Sequence, residues 1–278
     1  MKSRAGSIHT SIRMTVVAVF VIATLLTAGV ATGLQYYFSQ SMARGAATHL
    51  YTATARSITS ELQGIGTVNA NVITLLSENP ALKDPEREAA QLKIFSSVLE
   101  MNPLFYGIYV GRKDGSFFEV IDLDTSEYAR AKLLAAPSDR WVVVTLQESP
   151  GGRLRVYQYL DDALQPRAAR SEPTGFEVTE RPWFKAAFAS GDVEASAPYL
   201  FAQLQAPGRT ISKRLPGSDA VVGIDMTLST ISAFLASLEV ARSGEIYLYN
   251  QAGMVLASTS ETAPTDLLVD IARTPANH

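Results

Sequence analysis

The residues best placed to do chemistry are Arg181-Pro182-Trp183-Phe184, with Tyr199 and Asp225 downstream. Pro182 has a fixed φ and biases Arg181 toward an extended backbone. Residues two apart in an extended segment share a side. Arg181 and Trp183 can therefore aim a planar cation and an indole face at one spot. A guanidinium suits a carboxylate or phosphate, and an indole suits an apolar or cationic group. The pattern describes a pocket for a small charged molecule. Plainer roles compete: Arg181 can pair with Glu177 or Glu180, and Trp183 can be core. Asp225 can cap a helix beginning near Ser229, or bind Arg181 itself.

Other chemistries find little support. There is no cysteine, which removes disulfides and thiolate chemistry. His9, His49 and His278 are far apart, and no metal-ligand cluster can be drawn from them. No G-x-S-x-G elbow or phosphate loop occurs, so no catalytic residue and no cofactor is assigned. Asp122 and Asp124 alternate with Ile121 and Leu123, which reads as the solvated face of a strand rather than a calcium site. Net charge is -3 with no basic block, which argues against a nucleic-acid partner.

Positioning the Arg181 element requires a domain, and the chain has 278 residues to build it. Hydrophobic residues make up 47%, which excludes a disordered chain. No charge falls between Arg13 and Arg44, and Met14 to Leu34 is a dense apolar run. About 20 such residues cross a bilayer as a helix. Lys2, Arg4 and Arg13 precede the run and favour a cytoplasmic N-terminus, while Tyr36, Tyr37 and Phe38 suit the outer interface. A cleaved signal peptide is the alternative, although its apolar core usually spans only about 7–15 residues. With an uncleaved anchor, everything after about residue 40 lies outside the inner membrane, in the periplasm.

From Gln35 to Glu78 there is no proline, and Ile58, Leu62, Ile65, Val72 and Leu75/Leu76 make one apolar seam of a long helix. The seam can pack on the chain's own domain or on a second copy in a homodimer. Asn79-Pro80 ends it, and Glu86 to Glu100 reads as the next helix. Phe105 to Val110 and Ser116 to Ile121 flank Asp114-Gly115, a hairpin signal. Trp141 to Gln147 and Leu154 to Leu160 form a second hairpin, and Asp161 to Gly175 reads as a loop. Pro182 opens a short helix that Gly191 closes. Strand character follows at Glu194 to Gln205, Arg209 to Arg214 and Ala220 to Met226, then a helix from Ser229 to Val240. Ile108 to Gly115 aligns with Ile246 to Gly253, an internal repeat of a strand-turn-strand unit. A helix around Asp266 to Arg273 is expected near the end, where the second unit looks cut short.

These features together resemble the double-Cache sensor domains of bacterial transmembrane receptors, which are PAS-like and α+β with antiparallel sheets. The resemblance covers about residues 35–278 and rests on IYVGRKDG, RPWF, Pro198-Tyr199, VVGIDMTLSTI and GEIYLYNQAGMVLAS in that order. It implies a cytoplasmic N-terminus over residues 1–13, a membrane helix over 14–35 and a stalk helix over 36–78. A membrane-distal module then covers 79–240, and the start of a membrane-proximal module covers 241–278. It also implies a ligand-sensing rather than an enzymatic segment. A longer protein can carry a cytoplasmic cyclase, diguanylate cyclase, phosphohydrolase or histidine kinase. A complete membrane-anchored scaffold and an anchored enzyme are the rival readings.

In the amino-acid-binding members of that family, Arg181 matches the carboxylate-binding arginine and Trp183 the tryptophan. Asp225 matches an acid that receives the ligand's amino group, and Tyr199 a pocket tyrosine. Phe176 and Phe184 stand where tyrosines are usual, and Phe201 where a second amine-binding aspartate is usual. Losing that acid removes an ionic hydrogen bond worth about 1.5–3 kcal/mol. The expected ligand is thus a small carboxylate in a more apolar pocket.

Overall fold

The uncharged N-terminal run lies in a single α-helix, α1 (Ile12–Glu78), in this computed structural model, which describes residues 12–237, 245–249, 254–259 and 269–270. Contacts divide the chain into a unit ending at Gln63 and a unit beginning at Gly64. In the first unit, apolar side chains such as Phe20, Leu25, Leu26 and Val30 are exposed. Mean hydropathy reaches 2.4 in this helix, which is long and apolar enough to cross a membrane. Thr24 and Thr27 donate their hydroxyls to the carbonyls of Phe20 and Ala23 at 2.8 and 2.9 Å. That back-bonding gives both of these hydroxyl protons an acceptor within the helix.

In the second unit, the end of α1 buries Asn69, Ile73, Leu76 and Ser77, one stripe of a helix. The expected seam differs at one position. Leu75 is 74% exposed, because Ile73 and Leu76 carry the stripe and Leu75 falls beside it. Asn79 caps the short α2 (Pro80–Lys83), accepting from the Ala81 N–H at 3.0 Å. Helix α3 (Glu88–Met101) buries Gln91, Phe95, Ser96 and Leu99.

The main sheet is antiparallel. Its strands are β1 (Gly107–Arg112), β2 (Phe117–Asp122), β3 (Trp141–Ser149), β4 (Gly152–Leu160), β5 (Pro166–Pro173), β6 (Glu194–Ala195), β7 (Tyr199–Leu200), β8 (Pro207–Arg214) and β9 (Ala220–Thr227). They order as β5-β4-β3-β2-β1-β9-β8-β6, with β7 also on β8. Between them lie α4 (Glu127–Lys132) and α5 (Pro182–Ser190), and α6 (Leu228–Ser237) follows β9. The domain is α+β.

Strands β1, β2 and β9 are buried at every residue, so they are covered on both faces. Ile108, Val110, Phe118, Val120, Val222 and Ile224 pack with Ile73, Phe95 and Leu99 of α1 and α3 on one face. The alternate residues Tyr109, Phe117 and Val221 pack with Trp183 and Phe184 on the other.

Two further expectations are corrected. Part of the segment expected to be a loop, Pro166 to Pro173, is strand β5, paired with β4 from Leu154↔Pro173 to Leu160↔Pro166. It is a polar edge strand that keeps Arg167 and Arg170 half-exposed, and such charge is how edges avoid further pairing. Asp122 is not solvated. It is buried, accepts from the Asp124 N–H at 2.9 Å and faces Arg140 at 3.3 Å.

In the second repeat, β10 (Tyr247–Tyr249) pairs with β11 (Met254–Ser258), while its turn lies outside the described residues. Most of the helix expected at 266–273 also lies outside them. Within it, β12 (Val269–Asp270) is a strand on β11, a correction that suits the stiff extended preference of β-branched Val269. The end of the helix expected to run to Val240 lies outside the described residues as well.

Candidate functional site

The buried strands β1, β2 and β9 supply the floor of a cleft. Within each strand, period two puts Tyr109, Glu119 and Asp225 on the face opposite the α1–α3 core. The registers Tyr109↔Glu119 and Tyr109↔Gly223 bring them side by side. Gly223 is required here: any Cβ would overlap the Tyr109 ring. A Cβ at Gly111 would meet Trp183 at 2.6 Å, so the indole lies directly on the strand backbone.

Helix α5 brings the cation. Pro182 occupies its first position, and Arg181 precedes it with φ -72 and ψ 140, an extended backbone. Gly191 closes the helix in the left-handed conformation, φ 75. Arg181 is half-buried, with its guanidinium 5.3 Å from the Phe176 ring and 5.7 Å from the Tyr199 ring. The competing ion pairs are taken by others. Glu177 binds Arg153 at 3.0 Å, and Glu180 binds Lys185 at 2.5 Å. Among the described residues Arg181 makes no salt bridge, and its buried Nε has no partner within the protein.

The cleft is lined by Tyr109, Phe117, Glu119, Phe176, Arg181, Trp183, Tyr199, Phe201, Ala202, Gln203 and Asp225. Its walls bound about 250 Å³, part of it open to solvent, and the enclosed part has room for about one water, so a larger guest must displace wall side chains. Six of the seven residues singled out from sequence meet here: Arg181, Trp183, Asp225, Tyr199, Phe201 and Phe176. Phe184 does not reach the cleft. It stacks on Phe188 at 5.3 Å and meets Trp183 edge-on, as packing behind the wall.

Asp225 is 6% exposed and accepts hydrogen bonds from Tyr109 at 2.9 Å and Thr210 at 2.5 Å. It does not cap α6. Thr227 does that, accepting from the Thr230 N–H at 3.0 Å. Burial pushes the Asp225 carboxyl up to about 7, against the pull of those hydroxyls and of Arg181. Burial also raises the Tyr109 and Tyr199 hydroxyls well above their ordinary range, so both stay protonated as donors.

Glu119, which the sequence reading passed over, is a second acid in the cleft and is 2% exposed. Gln203 donates to it at 2.5 Å. Burial and then the neighbouring Asp225 push it up to about 8, with Arg155 acting the other way. One signal was available: a lone carboxylate sharing a strand face with Phe117 and Ile121, since a charge in a buried strand calls for a reason. The cleft therefore holds two carboxyls, not one, opposite a guanidinium and between aromatic walls. Such a set can hold an anionic group on the arginine and a cationic nitrogen on the acids. Among the described residues no group of three or more His, Asp or Glu is disposed to hold a metal.

No protein-family model matches the chain. By sequence it is 26% identical to adenylate cyclase 1 of Rhizobium meliloti over 91% of its own length and 39% of the cyclase. It is 30% identical to the chemotaxis protein McpA of Pseudomonas putida over 42% of its length, and 25% identical to McpB of Bacillus subtilis over 45%. The chain thus spans well under half the length of these relatives. Among solved structures, the sensory domain of the Campylobacter jejuni chemoreceptor Tlp3, with isoleucine bound, superimposes with TM-score 0.44 and 14% identity over 73% of this chain and 66% of that one. The ligand-binding domain of Pseudomonas fluorescens CtaA, in complex with L-isoleucine, gives 0.45 and 18% over 73% and 64%. The sequence relatives are thus a bacterial adenylate cyclase and bacterial chemotaxis proteins, each matched over a minor part of its length.

Proposed function

We propose that this chain is the extracytoplasmic ligand-sensing region of a membrane-anchored bacterial receptor, and that the Arg181 cleft is its input. The observation that carries this reading is the guanidinium of Arg181, which among the described residues has no ion pair and an unpartnered buried Nε, in a cleft with two buried carboxyls. A buried donor without an acceptor is costly, and an arriving carboxylate relieves that cost with a charge-assisted hydrogen bond. The Phe176 and Tyr199 rings flank the guanidinium at 5.3 and 5.7 Å. Asp225 offers the ligand a second, opposite contact.

The basic residues before α1 favour an N-terminus in the cytoplasm, which puts the cleft in the periplasm. Ligand binding favours one arrangement of the domain, by no more than the ligand's differential affinity for the two. α1, paired with its copy in a homodimer, carries that preference to the membrane. The cyclase match over 91% of the chain supports a nucleotide-cyclase output in a longer protein, ahead of a chemotaxis output.

The test is a thermal-shift screen of the chain in detergent against small carboxylates, amino acids included. A carboxylate at about 100 times its Kd stabilises by about 2.7 kcal/mol, and Arg181→Ala abolishes the shift. If nothing in the screen raises Tm, or if the variant keeps the shift, the cleft is not the input.

A further inference from the structure

The polar groups of the cleft form a row across neighbouring strands. At one end Arg181 lies over Tyr199 of β7. The Tyr199 hydroxyl is 2.6 Å from Thr210 Oγ1 of β8, which donates to Asp225 of β9. Asp225 pairs with Gly107 of β1. A Cβ at Gly107 would stand 3.3 Å from Glu119 Oε1, so the Glu119 carboxyl reaches from β2 across the bare backbone of that glycine. Gln203 Nε2 closes the row as Glu119's donor. Along the sheet the order is Tyr199 with Arg181 over it, then Asp225 on β9, then Glu119 on β2, with β1 between the two acids.

We propose that Glu119 is a specificity-determining residue, selecting an amino-carboxylate ligand that carries a second basic nitrogen. The inference rests on the proposed function of the same cleft. The ligand's carboxylate meets Arg181, its first ammonium meets Asp225, and its second nitrogen meets Glu119 in place of the Gln203 amide. With every group ionised, one guanidinium and two carboxylates leave the site one negative charge in excess. A ligand with one carboxylate and two ammonium groups matches it. The groups around Glu119 are Asp225, Arg155, Tyr106, Tyr109 and Gln203, and none of them is a cation inside the cleft. Glu119 therefore holds its proton near neutral pH and gives it up when an ammonium arrives, so binding releases a proton to solvent.

The experiment is calorimetry of the chain in detergent at pH 7 with L-ornithine and L-norvaline, which share a backbone and differ by a terminal ammonium. Ornithine is expected to bind about tenfold or more tighter, the value of one ionic hydrogen bond. It is also expected to release more protons, seen as a heat that changes with the buffer's ionisation enthalpy. Glu119→Gln should close most of that gap and reduce the proton release. Norvaline binding as tightly as ornithine to the wild-type chain overturns the proposal, and so does a Glu119→Gln ratio equal to the wild-type ratio. If that variant does not fold, the wild-type ratio and proton count decide alone. If norvaline binds through Arg181 without a preference for ornithine, only Glu119's role falls. If neither amino acid binds, the proposal falls, and the carboxylate screen then decides whether the cleft is an input at all.

Discussion

Two sets of buried acids in this domain are handled in opposite ways. Asp139, just before β3, is 1% exposed and accepts a forked pair of hydrogen bonds from Arg167, one of them 2.7 Å, with the Ala136 N–H at 2.7 Å as well. Those bonds hold its carboxyl below the ordinary range. Asp225 and Glu119 are also nearly without exposure, but they lie deeper beneath the surface and their donors are hydroxyls and an amide. Both are pushed up. Asp122 falls between, raised by burial to about 6 with Arg140 acting against it. Depth and donor act together: a guanidinium near the surface keeps an acid ionised, whereas hydroxyls or an amide deep in the domain do not. Asp139 has such a guanidinium and is spoken for by the fold. The cleft acids have none of their own, which leaves them for a guest.

The sharpest way to break this contrast is stability against pH. Glu119 and Asp225 titrate near 4 when unfolded, by the ordinary values of about 4.3 and 3.9. Folding raises them to about 8 and about 7. Between roughly pH 4 and pH 8 the folded chain binds the extra protons, so stability is full below this window and falls as pH rises through it. Urea unfolding should show a loss on the order of a few kcal/mol from pH 5 to pH 8. Glu119→Gln should remove a clear share of it, and an unchanged slope would mean that the cleft acids are not raised.

Asp139→Asn should act with the opposite sign. A lowered carboxyl stabilises above its unfolded pKa, and that contribution disappears as pH falls through the folded value. At pH 7 the variant should melt about 2–4 °C lower, roughly the shift that 1 kcal/mol gives a domain of this size. Wild type and variant should draw together as pH falls below about 4, the ordinary carboxyl value; a constant gap would show that packing, not the ion pair, is at stake. The smallest effect is expected at Phe184→Leu, a similar-sized apolar exchange that costs less than about 1.5 kcal/mol. Ligand affinity should not change, whereas Phe176→Leu should weaken it. Equal effects on binding would erase the distinction between cleft wall and backing.

What could be read from the chain follows the range of the forces involved. The α5 start at Pro182, its stop at Gly191 and both main hairpins rest on local backbone rules, and they appear where those rules put them. Strand β5 was missed because Pro166 to Pro173 has no apolar alternation. Its side chains lie at an edge, where Arg170 stacks on Tyr157 at 3.7 Å and hydrogen-bonds Tyr159. Asp122 was misread because alternation implies a wet face only when one face is wet, and β2 is covered on both. Glu119 was missed because its significance depends on Asp225, over a hundred residues away in sequence. The gathering of Arg181, Trp183, Tyr199 and Asp225 was legible through the resemblance, since no local rule joins β9 to α5.

The Phe201 ring lies directly over Gly208, where any Cβ would collide with it, and it also stacks on Tyr106 at 6.2 Å. Residues 201 and 208 therefore cannot drift independently. A lineage that enlarges position 208 first crowds its own pocket wall. Trimming position 201 alone does not free position 208, whose Cβ would still meet the Met226 carbonyl oxygen at 2.7 Å. The route to a differently shaped cavity thus runs through position 201 with Gly208 kept, and both acids left in place throughout.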